Sequence, residues 1–169
     1  MKRVYLLRHA KSSWKDRSRA DRDRPLAGRG KRAAKAVAGH IEAERIRPEL
    51  VLCSPARRTR ETLERVEAAF GDRVEVRYEE ALYGASEAEL LDRLHALPAE
   101  VNSVMIIGHN PGLENLALAL ASEGAERARM EEKYPTAALA TIDLSAGDWR
   151  AIERGNGELV AYVRPRDLD

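Results

Sequence analysis

The chain of 169 residues is predicted to fold as a three-layer α/β/α sandwich around a mostly parallel mixed sheet. Three features carry that prediction. Short runs of β-formers alternate with helix-length segments whose apolar residues recur at near-helical spacing, the signature of βαβ units. The final third instead shows apolar runs divided by Ser145-Ala146-Gly147-Asp148 and Gly155-Asn156-Gly157, which reads as a strand meander. Polar side chains follow the buried runs at Arg8-His9, Ser54 and His109, and in open α/β sheets ligands bind at the carboxyl ends of such strands.

Val4-Tyr5-Leu6-Leu7 is the first buried strand. Ser12 to Arg29, rich in Asp and Arg with Pro25 and Gly28, is predicted as a loop over the active end of the sheet. Arg32 to Arg45 is the first helix, with Ala33, Ala36, Val37, His40 and Ile41 at near-helical spacing, so His40 is a helix-face residue rather than a ligand. Leu50 to Cys53 is the second strand. Ser54 as N-cap and Pro55 as first helical residue predict a helix to about Phe70, with Thr59, Leu63, Val66 and Phe70 inward.

Val74 to Tyr78 is the third strand and Glu79 to Gly84 a loop. Ser86 caps the next helix, which runs through Leu90, Leu91 and Leu94 to near Pro98 and carries His95 in a structural or solvated position. Val104 to Ile107 is the fourth strand. Asn110 as N-cap and Pro111 as first residue open a helix through Leu120, and Glu123 to Pro135 reads as helix then loop. Ala137 to Leu144, Trp149 to Glu153 and Leu159 to Val163 are the predicted meander. One domain spanning 1–169 is expected.

The net charge of +1 conceals an asymmetry. Residues 1–35 hold 13 Lys or Arg against 3 Asp, while the remainder holds 16 basic and 25 acidic residues. With Trp14 the one aromatic beyond Tyr5 in that basic stretch, there is no stacking platform for nucleic acid, and a phosphate-attracting pocket fits the charge better. No segment is apolar and long enough for a membrane span, and Met1-Lys2-Arg3 enters the first strand without a signal-peptide core, so a cytoplasmic location is expected. The single Cys53, inside Leu50-Val51-Leu52-Cys53, agrees with a reducing compartment and reads as a core residue rather than a nucleophile.

If the three strand ends converge, two arginines and two histidines meet with few acids. Such a pocket suits phosphoryl transfer, where positioning and charge neutralisation dominate. Planar guanidiniums fit phosphate oxygens, and helix amino termini near residues 55 and 111 add backbone donors. A histidine among arginines is kept neutral by like charge and can act as a nucleophile. Neither zinc-type spacing, a Walker loop, a GxSxG elbow nor a CxxxxxR thiol site is present in the sequence, and no metal or other cofactor is expected.

Leu7-Arg8-His9-Ala10-Lys11-Ser12, Ser54-Pro55-Ala56-Arg57-Arg58-Thr59-Arg60-Glu61-Thr62 and Gly108-His109-Asn110 together resemble the histidine phosphatase, or phosphoglycerate-mutase-like, superfamily. Within it the short length, the Gly-His-Asn-Pro-Gly turn and the ending Val163 to Leu168 are similar to the SixA-type phosphohistidine phosphatases. The resemblance implies that His9 is the phosphorylated nucleophile, that Arg8 and Arg58 bind phosphate, and that His109 is the second histidine of the pocket. Ser12 falls where many members contact phosphate, and Glu80 where mutases and esterases place a proton donor. Lys15 stands where mutases have an asparagine and is a candidate substrate contact; Ala10-Lys11 replaces the usual Gly-Glu or Gly-Asp. These departures, and the lack of long insertions, weigh against mutase activity. The implied activity is hydrolysis of phosphohistidine on a protein, with small phosphorylated metabolites as alternative substrates and a silent phosphate-binding module as the alternative of another class.

Overall fold

The computed structural model describes residues 1–72 and 74–168. Six strands, β1 (Lys2–Arg8), β2 (Leu50–Cys53), β3 (Glu75–Tyr78), β4 (Ser103–Gly108), β5 (Leu139–Leu144) and β6 (Gly157–Val163), form one sheet in the order β3-β2-β4-β1-β5-β6. β3, β2, β4 and β1 run parallel, and β5 and β6 add antiparallel strands beyond β1. Five α-helices cover it: α1 (Gly28–Ala43), α2 (Arg57–Val66), α3 (Glu87–His95), α4 (Gly112–Leu120) and α5 (Ala125–Glu132).

The period-two geometry of the strands creates the layers. Tyr5, Leu7, Val51, Cys53, Met105 and Ile107 face α1 and α2, whereas Val4, Leu6, Leu50, Leu52, Val104 and Ile106 face α3 and α4. Because both faces are covered, the central parallel strands β1, β2 and β4 carry continuous apolar runs, whereas the edge strand β3, Glu75-Val76-Arg77-Tyr78, is mostly exposed. Among the described residues no helix is long and apolar enough to cross a membrane.

Several boundaries differ from those predicted. The first helix starts at Gly28, not Arg32, and its first turn packs against the strand-end loop, where a Cβ at Gly30 would lie 2.0 Å from the Lys11 carbonyl oxygen. The second starts at Arg57, not Pro55, since Ala56, with ψ of 145°, is not yet helical; the Ser54 hydroxyl accepts the Ala56 N–H at 3.4 Å instead of capping α2. Likewise α4 starts at Gly112 with Pro111 as N-cap, although Asn110 still serves the helix by accepting the Glu114 N–H at 3.2 Å. Ser86 and Glu89 form a reciprocal capping box on α3. Trp149 to Glu153 is not a strand. Trp149–Ala151 is a single 3-10 turn, because the Trp149 indole is fully buried and its Nε1 donates to the Val101 carbonyl at 2.7 Å, across the layer rather than along a sheet.

Candidate active site

The sheet register brings three strand ends level. Arg8 pairs with Gly108 and Cys53 with Ile107, and the ladder continues one residue further through His9 N–H to the Gly108 carbonyl and Ser54 N–H to the Ile107 carbonyl, each 3.1 Å. Residues that are about 50 and 100 positions apart in sequence thereby share one edge.

His9 is buried, with 7% of its surface exposed. Its Nδ1 lies 2.7 Å from the Ala10 carbonyl oxygen. A carbonyl only accepts, so Nδ1 carries the proton and the lone pair of the neutral ring is on Nε2. Burial first outweighs the contact to the Ala10 carbonyl and, with His109, Arg58 and Arg8 nearby, pushes its pKa down to about 3, so the ring is neutral at physiological pH. The segment is braced from α2, where the Thr62 hydroxyl accepts the Ala10 N–H at 3.0 Å and itself donates to the Arg58 carbonyl at 2.7 Å. The His109 ring centroid is 5.4 Å from that of His9. Its Nε2 meets Ser54 Oγ at 2.7 Å, and burial together with Arg58 lowers its pKa to about 4.

The two arginines present the same edge. Arg8 Nη1 donates to the Tyr134 carbonyl at 3.0 Å, a carbonyl that also accepts from Asn110 Nδ2 at 3.0 Å. Arg58, 7% exposed, donates from Nη1 to the Asp21 carbonyl at 2.8 Å and from Nη2 to the Asp21 carboxylate at 3.0 Å. Arg58 thus has both outer nitrogens engaged and Arg8 has Nη1 engaged, while in each Nε is buried without a partner. Among the described residues, the buried side-chain nitrogens or oxygens lacking any hydrogen-bond partner are Arg8 Nε, Arg58 Nε and His109 Nδ1. All three belong to this cluster. Unpaired buried polar groups are costly, of order 1–3 kcal/mol each, so three in one cluster mark it as a place where stability is given up.

The remaining expected residues have other partners or are exposed. Ser12 is buried, but its hydroxyl accepts from Arg24 Nη1 at 2.7 Å. Lys15 is exposed. Glu80 is exposed and ion-paired with Arg22, which lowers its pKa; it meets the cluster only through Arg22, whose guanidinium lies over the Tyr83 ring, and Tyr83, whose ring stands edge-on to His109 at 5.5 Å.

Asp21 was not singled out from sequence. Its carboxylate accepts from Arg58, from Tyr83 Oη at 2.5 Å and from Arg24 Nε at 3.2 Å, and these donors hold its pKa down to about 2. Arg57, the neighbour of Arg58, turns away to pair with Glu61 at 2.8 Å, as a rotation of about 100° per helical residue requires. Cys53 is buried and its thiol is pushed up to about 12, in keeping with a core role.

A family model described as the histidine phosphatase superfamily (branch 1) matches residues 4–87. An uncharacterized protein of Mycobacterium tuberculosis is 38% identical over 164 residues, covering 95% of this chain and all of that protein. A solved structure from Agrobacterium tumefaciens, provisionally named as the phosphohistidine phosphatase SixA, superposes with a TM-score of 0.84 at 33% identity, covering 97% of this chain and 98% of the other. The protein histidine phosphatase SixA, solved in complex with tungstate, superposes at 0.80 with 25% identity and 99% coverage of both chains.

Proposed function

The chain belongs to the histidine phosphatase superfamily and is a phosphatase of it, and from that premise we propose that it moves the phosphoryl group of phosphohistidine on a protein first to His9 and then to water. The observation that carries this reading is the set of three unpartnered buried nitrogens around a neutral His9. The guanidiniums of Arg8 and Arg58 supply donors to the phosphoryl oxygens, as does His109 with the proton on Nδ1 and Nε2 accepting from the Ser54 hydroxyl, while the contacts of Arg58 to Asp21 and of Arg8 Nη1 to Tyr134 restrain the guanidiniums. The His9 Nε2 lone pair attacks phosphorus in line. The bond from phosphorus to the substrate nitrogen breaks, and its electrons leave with the protonated imidazole. Water then attacks phosphorus, the bond to Nε2 breaks, its electrons return to His9 and inorganic phosphate departs with the water's protons.

Phosphohistidine is favoured over phosphate esters by the state of the nearby carboxylates. Asp21 is held ionised by three donors and Glu80 by Arg22, so neither stands as a carboxylic acid near neutral pH. A protonated imidazole leaves without such an acid, whereas an alkoxide needs a proton from one. The lone buried Cys53 supports a reducing, cytoplasmic setting, and we take residues 1–169 as a single domain.

Turnover of a 32P-labelled phosphohistidine protein, stopped in alkali to preserve phosphoramidates, tests the assignment. Label is expected on His9, with no turnover in His9→Ala. Label on another residue, or undiminished turnover without His9, would overturn it.

A further inference from the structure

Chemistry at phosphorus leaves one part of the molecule unused. Residues 11–24 hold six Lys or Arg and three Asp, an excess of three positive charges, and Lys11, Lys15, Arg17 and Arg19 are exposed. Among them stands Trp14, 65% exposed. An indole usually gains from burial, so leaving this one in water sacrifices stability. It is nonetheless fixed in place: the Arg24 guanidinium lies 3.6 Å from the ring centroid. Arg24 is itself buried, tied to Ser12 Oγ and to the Asp21 carboxylate that holds Arg58. The loop base is anchored as well, by Ser13 N–H to the Pro25 carbonyl at 2.8 Å. A cavity of about 390 Å³ opens beside the ring, lined by Trp14, Asp16, Arg17, Arg19 and Arg24.

This is an exposed aromatic anchor in a basic groove, linked through Arg24 and Asp21 to Arg58. Anchored Trp and Arg side chains dominate protein–protein contacts, whereas small-molecule sites are mostly apolar clefts. A single exposed ring with interspersed aspartates gives single-stranded nucleic acid little to stack on. We propose that the groove beside Trp14 docks an acidic stretch of the protein that presents phosphohistidine to His9. The inference rests on the protein-substrate reading above and adds to it the charge of the partner.

Two synthetic peptides with one phosphohistidine each, flanked by glutamates in one and by lysines in the other, test it. The acidic peptide is expected to have a kcat/KM higher by about tenfold or more at low salt, converging on the basic one near roughly 0.5 M salt as screening shortens. The Arg17→Glu/Arg19→Glu variant, altered only at exposed positions, is expected to lose that preference while hydrolysing phosphoramidate within about twofold of wild type. Equal turnover of both peptides, or a preference that survives the double variant, overturns the docking groove and leaves the protein-phosphatase reading standing. So does stronger competition by a single-stranded oligodeoxynucleotide than by polyglutamate, which would reassign the groove. Hydrolysis of phosphate esters with neither peptide touched overturns the substrate reading, and this inference with it.

Discussion

Asp21 touches Arg58 twice, through its carbonyl at 2.8 Å and its carboxylate at 3.0 Å, and this makes a positioning role measurable. In Asp21→Ala the carbonyl contact stays, while the carboxylate contacts to Arg58, Arg24 and Tyr83 go. A charge-assisted bond is worth about 1.5–3 kcal/mol when protected, but the Asp21 side chain is 47% exposed, so solvent screening cuts the Arg58 contact to about 1 kcal/mol. A guanidinium freed to turn by that amount presents Nε less often, and kcat is expected to fall by about fivefold to tenfold. Arg58→Ala, which deletes the donor itself, is expected to lose 10²-fold or more. The informative variant is the double one. If Asp21 acts through Arg58, removing it when Arg58 is already alanine costs almost nothing further, and the cycle yields a coupling of about 1 kcal/mol. Steady-state kinetics on phosphoramidate for the four proteins measures this, with urea midpoints confirming that all are folded. Additive losses in the double variant would refute the relay and show that Asp21 acts independently of Arg58.

Arg57→Ala is expected to leave kcat within about twofold and to cost about 0.3–0.5 kcal/mol of stability from its i,i+4 pair with Glu61, so a larger kinetic loss than in Arg58→Ala would reverse the helix register drawn above. In the unfolded chain His9 and His109 take up protons near 6.5, but in the folded protein only near about 3 and about 4. Below about 6.5 the unfolded state therefore binds more protons, and stability, read as a urea midpoint, is expected to decline as pH falls towards 4. Over the same window the folded enzyme keeps its nucleophile neutral. Corrected for substrate ionisation, kcat/KM is expected to show no acid limb near 6.5, and a limb there would contradict the neutral, buried His9. Glu80→Gln removes the partner of Arg22 at the rim and is expected to change phosphohistidine and phosphoramidate hydrolysis by less than about threefold; a loss of 10²-fold or more on these substrates would mark Glu80 as a proton donor despite its ion pair.

Sequence alone determined the layers of this protein and the residues at its strand ends. Short continuous apolar runs rich in β-branched residues and followed at once by glycine, such as Val104 to Ile107, read as strands covered on both faces, and here they are buried. Once those runs are parallel, Arg8-His9, Ser54 and His109 must emerge at one edge, so the core of the site follows from local pattern and strand direction. What the pattern could not supply was anything fixed by contact across the sheet edge. Ser54 looks like a helix cap, yet its hydroxyl also meets His109, a partner 55 residues away, and α2 starts only at Arg57. Trp149 looks like a strand residue, yet its indole finds the Val101 carbonyl and bends the chain into a turn. Asp21 shares a loop with Asp16 and Asp23, three aspartates in similar Arg-rich surroundings with no local feature to separate them. Only the folded loop, closing over α2, delivers one of the three to Arg58 and Tyr83. Burial and hydrogen-bond patterns with short periods are written along the chain, whereas the choice of one carboxylate among several depends on distances between segments, and those exist only after the chain has folded.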